Sequence, residues 1–105
     1  RAANISIKYN DLIPKELDES ALDLTEEKNL FLALQPIISC DSQTLWSPAN
    51  YLKQLNKIEP IVTRFFEDVM IMDKDSVKCG NRLWLCHRLA QWSERHIELK
   101  SILFN

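Results

Sequence analysis

The sequence predicts an all-α protein, a small antiparallel helical bundle, and three observations lead to this fold class. The chain of 105 residues contains 1 glycine and 4 prolines, so the turn residues that many short strands would need are scarce. Apolar residues recur at steps of three and four, which is the period of one helical face. At this length we expect a single helical domain, residues 1–105, with a modest core.

The first residues predict a short helix followed by a loosely specified segment. Residues 1–8 can form two helical turns that end at Tyr9. Pro14 and the charged residues after it suit a short helix or a surface turn over residues 15–18. Because the opening looks like the end of a helix whose beginning is absent, we expect the chain to be the C-terminal fragment of a larger protein.

The second predicted helix covers residues 25–38. Thr25 is the expected N-cap, with Glu or Lys where a capping box would place its third residue. The apolar stripe consists of Leu30, Phe31, Leu34 and Ile37 or Ile38. Pro36 should bend this helix or end its regular hydrogen-bond ladder.

The third predicted helix begins at Pro48, because Ser47 followed by proline is typical of a cap and a first-turn residue. Its inner stripe consists of Tyr51, Leu52, Leu55 and Ile58. Pro60 predicts a kink or a fresh helix start, since proline disfavours helical geometry in the residue before it. Beyond that point the apolar face continues through Ile61, Val62, Phe65, Phe66 and Val69.

Residues 65–89 organise the rest of the prediction, because they join a helix end, an apolar connector and the start of the longest helix. The connector, residues 69–72, is too short for a helix of its own and should be buried. Asp75 or Ser76 can accept hydrogen bonds from the first turn of a new helix. We expect that helix to run to about Leu99.

The last predicted helix has two apolar faces. At about 100° per residue, one side carries Cys79, Leu83, Cys86, Ala90 and Ile97 and should face the bundle. The opposite side carries Trp84, Leu85 and Trp92, interleaved with Arg88, Gln91 and Arg95. Alternating Trp and Arg side chains suit a stacking platform with phosphate contacts. The alternative is a central helix that buries both faces while its Arg stems reach outward.

A second cationic group lies near the start of the same helix. Lys78 and Arg82 are one turn apart, and His96 and Lys100 follow along roughly the same side. These residues suit a basic track. The alternative is a solvated face whose ion pairs, such as Asp75 with Lys78, contribute little.

The charge of the chain limits how it can hold nucleic acid. A net charge of -2 is far from the basic excess of a domain that binds mainly through phosphates. An RNA role must therefore depend on a local patch. No stretch approaches the roughly 20 apolar residues of a membrane span, so we expect a soluble, cytoplasmic protein with no membrane partner.

The spacing of the cysteine and histidine residues predicts neither a catalytic site nor a metal site. The cysteines at positions 40, 79 and 86 form no CxxC pair and have no His at zinc spacing. We expect buried or half-buried thiols in a reducing cytosol. His87 and His96 have no Ser, Cys or carboxylate placed to make either of them the base of a nucleophile. The single glycine excludes a glycine-rich phosphate loop.

Three segments carry a family pattern: RAANI at the start, FFEDVMIMDKD in the middle and NRLWL soon after. They resemble the C-terminal region of the bacterial glycyl-tRNA synthetase beta subunit, whose pattern is close to RVANI, FF-D-VMVM-x-x-D and NRL-x-LL. The resemblance covers nearly the whole chain and is sharpest over residues 65–85. The matching positions are Phe65, Phe66, Asp68, Val69, Met70, Met72, Asp75, Asn81, Arg82, Leu83 and Leu85.

The resemblance implies an all-helical anticodon-binding domain of the DALR type that grips tRNA(Gly) and carries no catalytic site. Activation of glycine with ATP and Mg²⁺ would belong to the alpha subunit or to an alpha portion of a fused chain, so this fragment holds no cofactor. The chain departs from the family at residues 76–79, where the arginine of the DALR signature is absent. Gly80 lies directly after that segment.

The physical pattern and the resemblance lead to one hypothesis. Unpaired bases of an anticodon loop are read by stacking on aromatic or Arg planes together with hydrogen bonds. The candidate RNA-binding residues are Lys78, Arg82, Trp84, Arg88, Trp92 and Arg95. Two alternatives stay open: a helical interaction module that docks on another domain or subunit without RNA, and the equivalent domain of arginyl-tRNA synthetase.

Overall fold

The computed structural model describes residues 2–40 and 45–97, and every regular element in those ranges is a helix. The α-helices are α1 Ala2–Lys8, α2 Thr25–Ala33, α3 Gln35–Ile38, α4 Pro48–Asp68 and α5 Ser76–Arg95. Short 3-10 helices lie at Asn10–Leu12 and Glu19–Ala21. The predicted all-α helical bundle is confirmed.

Two packing relationships build the bundle, since α1 packs on α5 and α2 packs on α4. The core fills the space between the inner faces of α2, α4 and α5. Its nearly inaccessible apolar side chains include Leu30, Leu34, Tyr51, Ile58, Phe65, Leu83, Leu85, Cys86 and Trp92. The long helices α4 and α5 meet in this core through side chains such as Tyr51 and Trp92, whose ring centroids are 4.8 Å apart.

Two predicted helix starts and one predicted break are confirmed. The side chain of Asp75 accepts hydrogen bonds from the backbone N–H groups of Val77 and Lys78, at 2.9 and 3.2 Å, and begins α5. Ser47 Oγ accepts from the N–H of Asn50 at 3.3 Å and begins α4. The break between α2 and α3 comes just before Pro36, whose ring cannot continue the ladder.

The cap of α2 lies one residue before the predicted one. Leu24, not Thr25, is the N-cap, and Glu27 Oε1 accepts a hydrogen bond from its backbone N–H at 3.3 Å. Glu27 is fully buried. The prediction of Thr25 was wrong by one residue. Glu27 also binds Arg82 of α5, a contact that a local capping pattern does not reveal.

Helix α4 continues through Pro60 without a fresh start, so that alternative was wrong. Pro60 has no N–H to donate to the carbonyl of Asn56. Ile58 and Phe65 on either side of it are both buried. Packing of these two side chains holds the two halves of α4 in one helix despite the missing hydrogen bond.

The connector between α4 and α5 is only half buried. Val69 and Ile71 are in the core, whereas Met70 and Met72 are 72% and 40% exposed. Val69 has extended backbone angles, φ -112° and ψ 126°, so the side chains of Val69 and Met70 point in opposite directions. The prediction that all four residues are buried was therefore wrong for both methionines.

Helix α5 ends at Arg95, earlier than predicted, and Leu99 lies outside the described residues. His96 leaves the helix with φ -108° and ψ 22°. Ile97 consequently no longer follows the core-facing stripe and is 63% exposed, so its predicted place in the bundle was wrong. Cys79, Leu83 and Cys86 of the same stripe are buried as predicted.

Candidate nucleic-acid interface

The first half of α5 is anchored in the protein by Arg82, which is only 3% exposed. Its guanidinium donates to Glu27 Oε1 at 3.1 Å, to Asp73 Oδ2 at 3.2 Å and to the carbonyl of Met70 at 2.7 Å. These three partners belong to α2 and to the connector before α5. Arg82 therefore ties the start of α5 to two other parts of the chain and is not available to RNA.

Electrostatic effects within this cluster differ from one carboxyl group to the next. Burial raises the pKa of Glu27. The pKa of Asp73 is lowered, first by the backbone N–H of Asp75 and then by Arg82. Burial alone would lower the pKa of Arg82, but its hydrogen bonds and charge contacts with Glu27 and Asp73 raise it. The guanidinium therefore stays charged and needs its acidic partners.

Lys78 is bound to a partner at the edge of the same cluster. Its Nζ lies 2.8 Å from Asp23 Oδ2 in a partly exposed ion pair. The hydrogen bond from Lys78 lowers the pKa of Asp23 from 3.8 to about 2. The predicted basic track is therefore wrong as a surface feature, since Arg82 and His96 are buried and Lys78 is paired. Lys100 lies outside the described residues.

Asn81, the neighbour of Arg82, holds the segment between α1 and α2. Its Oδ1 accepts from the backbone N–H of Asp18 at 2.8 Å, and its Nδ2 donates to the carbonyl of the same residue at 2.7 Å. With Asp75 capping α5 and Arg82 in the ion cluster, the family-like residues 75–83 form a structural joint. The joint holds the fold together and offers RNA little open surface.

The second half of α5 places Trp92 in the core, where it is 1% exposed. Its ring centroid lies 4.8 Å from that of Tyr51 and 5.5 Å from that of Trp46. These aromatic residues of α4 and the preceding loop cover the Trp92 indole, so a base has no access to it. The predicted stacking platform was therefore wrong to include Trp92.

His96 completes this aromatic cluster. Its Nε2 accepts from the backbone N–H of Trp46 at 2.9 Å, and its Nδ1 lies 2.9 Å from the carbonyl of Trp92. An N–H donor faces one ring nitrogen and a carbonyl acceptor faces the other, so the bonding fits the neutral tautomer with hydrogen on Nδ1. His96 thereby fixes the loop before α4 against the end of α5.

A strip along α5 remains open to solvent and contains three of the six predicted residues. Trp84, Arg88 and Arg95 are each half-buried, and Gln91 between them is exposed. The Arg88 guanidinium carbon lies 5.6 Å from the centroid of the Trp84 ring, within the range of a cation–π contact. Arg88 also donates to the carbonyl of Ile38 at 3.5 Å. We call Trp84, Arg88, Gln91 and Arg95 the α5 strip.

The structure also reveals a surface groove that the sequence reasoning did not predict. It is lined by Pro36, Cys40, Leu45, Trp46, Ser47, Asn50, Lys53, Gln54 and Lys57. We call it the α3–α4 groove. A charge signal could have indicated it, because residues 42–58 contain no Asp or Glu in a chain that has 15 of them.

Metal-binding clusters and membrane spans are absent from the part of the chain that the structure describes. Within residues 2–40 and 45–97, no group of three or more His, Cys, Asp or Glu side chains is arranged to hold a metal ion. None of the helices described is long and apolar enough to cross a membrane. The cysteines are thiols, with Cys79 and Cys86 buried in α5.

Comparison with known proteins gives a consistent result over most of the chain. The profile of the DALR anticodon binding domain matches residues 1–99. A glycine--tRNA ligase beta subunit of Xylella fastidiosa (strain M12) is 30% identical over 95 residues, which are 88% of this chain and 13% of that protein. No solved structure matches.

Two relatives from Neisseria are also described as glycine--tRNA ligase beta subunits. The one from Neisseria meningitidis serogroup C (strain 053442) is 38% identical over 89 residues, 81% of this chain and 13% of the relative. The one from Neisseria gonorrhoeae is 36% identical over 91 residues, 81% of this chain and 69% of the relative. The chain thus spans 13% of the length of the Xylella fastidiosa and Neisseria meningitidis proteins.

Proposed function

Because the chain belongs to the DALR anticodon binding domain family, we propose that it binds the anticodon region of tRNA(Gly) within a glycine–tRNA ligase. Its role is to contribute tRNA recognition to aminoacylation. The observation that carries this proposal is the match of the DALR profile over residues 1–99, together with relatives described as glycine--tRNA ligase beta subunits. Those relatives favour the glycyl enzyme over the arginyl one.

The chemistry of the whole enzyme lies elsewhere in this proposal. Activation of glycine with ATP and Mg²⁺ belongs to the alpha subunit, or to an alpha portion of a fused chain, which is the protein partner. The enzyme works in the cytoplasm, where tRNA is charged. The contribution of this domain is to hold the tRNA in place, which raises the rate of a reaction at a distant site by positioning.

The α5 strip is the surface that suits this role. The Arg88 guanidinium lies over the Trp84 ring, and in our proposal an unstacked base stacks on this pair of planar groups. Arg95, two turns further along α5, is placed for a phosphate. Arg82 and Trp92 support the surface from inside, and Lys78 is occupied by Asp23. In our proposal the direct contacts are therefore made by Trp84, Arg88 and Arg95.

The negative net charge of the chain predicts a low affinity for tRNA. With a net charge of -2, the domain lacks the long-range attraction that a basic protein exerts on phosphates. The chain alone should therefore bind tRNA(Gly) weakly and lose the complex at modest salt concentration. Most of the phosphate attraction would come from the rest of the enzyme.

A fluorescence titration of labelled tRNA(Gly) with the chain tests the proposal. We expect saturable binding that Trp84→Ala with Arg88→Ala weakens, whereas Arg64→Ala, at an exposed position on α4, leaves it unchanged. Absence of binding to tRNA(Gly) at low salt would overturn the proposal. It would then favour the interaction module that docks on another domain. Binding that the α5 variants do not weaken would overturn the assignment of residues only.

A further inference from the structure

We propose that the α3–α4 groove is a second RNA-binding site, which takes one unstacked nucleotide of a single-stranded segment. In this arrangement the base lies against Trp46, and Lys53 and Lys57 contact the adjoining phosphates. The inference rests on the proposed function, which supplies an RNA partner, and it adds a site that is separate from the α5 strip.

The described lining of the α3–α4 groove carries positive charge. Among the described residues, its lining holds two lysines and no carboxylate, although acidic residues outnumber basic ones in the chain, 15 to 13. Both lysines are exposed, and no carboxylate among the described residues forms an ion pair with either. With no carboxylate among the described residues beside them, their ammonium groups suit phosphates better than that of Lys78, which is paired with Asp23.

A second groove on the same helix shows that this charge is not a general property of α4. That groove is lined by Glu59, Pro60, Thr63, Arg64 and Glu67. Its described lining includes two carboxylates, one arginine and no aromatic side chain. A phosphate would be repelled there, and a base would find no ring to stack on. The groove beside the first turns of α4 therefore has the positive charge and the aromatic ring that suit RNA, and the groove beside the later turns has neither.

The polar side chains of the α3–α4 groove form a row along one side of α4. Lys53 and Lys57 are one helical turn apart, about 6 Å along the axis at 1.5 Å per residue, and Asn50 precedes them on the same side. Proteins that bind single strands combine such a cationic row with an aromatic ring. Asn50 adds an amide that can donate to or accept from a base edge.

The walls of the groove are held in place by contacts behind them. The backbone N–H of Trp46 donates to His96 Nε2 at 2.9 Å. The Trp46 ring meets Trp92 edge to face, with centroids 5.5 Å apart. Gln54, which also lines the groove, donates from Nε2 to the carbonyl of Ala33 at 2.9 Å. A site fixed in this way loses little conformational freedom when a nucleotide enters.

The groove also lies beside the α5 strip. Pro36 of α3 lines the groove, and Ile38, at the other end of the same short helix, accepts the hydrogen bond from Arg88. A strand that leaves the strip can therefore reach the groove by passing over α3. The two sites would hold neighbouring nucleotides of one loop.

The test measures binding of tRNA(Gly) to the full chain as a function of salt. In the variant Lys53→Ala with Lys57→Ala we expect about a tenfold loss of affinity. The slope of log affinity against log salt should fall by about 0.7 for each phosphate that the variant no longer neutralises. The matched control is Lys15→Ala with Lys28→Ala, which removes two exposed lysines outside the groove and should leave affinity and slope nearly unchanged.

A second measurement reports on Trp46 directly. In a ¹⁵N-edited NMR spectrum, the indole N–H signal of Trp46, assigned with Trp46→Phe, should shift when an RNA oligonucleotide with the anticodon-loop sequence is added. Equal affinity and slope in wild type and the Lys53/Lys57 variant would overturn the groove while leaving the proposed function intact. An equal loss of affinity in the Lys53/Lys57 and Lys15/Lys28 variants would show that only the net charge of the chain matters. That result would also overturn the proposed groove site. Absence of tRNA(Gly) binding by the wild type would overturn both.

Discussion

Arg82 Nη2 and Glu27 Oε1 lie 3.1 Å apart inside the protein, although 55 positions separate the two residues in the sequence. Arg82 is 3% exposed and Glu27 is inaccessible. Glu27 in turn accepts the N–H of Leu24 at the start of α2. One buried pair therefore controls how α2 begins and where α5 sits, and this explains why the NRL segment carries an arginine that solvent does not reach.

Replacing Arg82 by Met should reduce the free energy of unfolding by about 3–5 kcal/mol, because it leaves the Glu27 carboxylate buried without its partner. The measurement is urea denaturation followed by circular dichroism. Arg64→Met at an exposed site on α4 is the control and should change stability by no more than about 0.5 kcal/mol. A loss below about 1 kcal/mol for Arg82→Met would mean that the pair contributes little.

Acid should weaken the cluster through Asp23. The hydrogen bond from Lys78 lowers the pKa of Asp23 from 3.8 to about 2. A carboxyl group whose pKa is lower in the folded state stabilises the protein above its unfolded pKa, and this contribution disappears as the pH falls through the folded one. Between pH 3.8 and about pH 2 the wild type should therefore lose stability that Asp23→Asn has already lost.

Urea midpoints of the two proteins at a series of pH values measure this difference. The gap between wild type and Asp23→Asn should be widest above pH 3.8 and should close towards about pH 2. Asp11→Asn, at an exposed position near α1, is the matched control. A gap that stays constant across the acid range would contradict a role for the ionised Asp23.

Asn81 should prove more important than its uncharged side chain suggests. It bonds both the N–H and the carbonyl of Asp18, at 2.8 and 2.7 Å, and Asn81→Ala leaves both backbone groups without this partner. We expect a loss of roughly 1–3 kcal/mol and faster hydrogen exchange at the Asp18 amide. Asn56→Ala, on the exposed side of α4, should do neither. An unchanged rate of hydrogen exchange at the Asp18 amide in Asn81→Ala would contradict a stabilising role for these two hydrogen bonds.

Features encoded by neighbouring residues were predictable from the sequence. Asp75 caps α5 through the amides of Val77 and Lys78, and Pro36 is the second residue of α3, just after the break at Leu34. Each of these signals acts over a few positions of chain. The periodic stripes likewise identified Leu30, Leu34 and Leu83 as core residues, because periodicity reports which side of a helix is apolar.

Features that depend on distant partners were not predictable. Trp84 and Trp92 have the same side chain, so their type does not distinguish a surface position from a core position. Trp92 is in the core because Tyr51 and Trp46, which are distant in sequence, pack against it. The partner of Arg82 on α2 is equally remote in sequence. The α3–α4 groove was not predicted because its lysines lie on a different helix from the arginines that suggested RNA binding.

Gly80 offers a test of how tightly the joint is packed. It lies inside α5, and its φ is not positive, so no special backbone conformation requires glycine there. An added Cβ would meet Pro14 Cγ at 3.4 Å and Cδ at 3.5 Å, which is ordinary van der Waals contact. Gly80→Ala should therefore stabilise the protein by about 0.5–1 kcal/mol, the usual gain from removing a mid-helix glycine.

A larger side chain at the same position should reverse the sign. Gly80→Leu must displace Pro14 and the segment that Asn81 holds through Asp18, and overpacking of this kind destabilises by about 1–3 kcal/mol. Thermal and urea unfolding of the two variants measure both effects. Equal stabilisation by Ala and Leu would contradict the expected overpacking against Pro14.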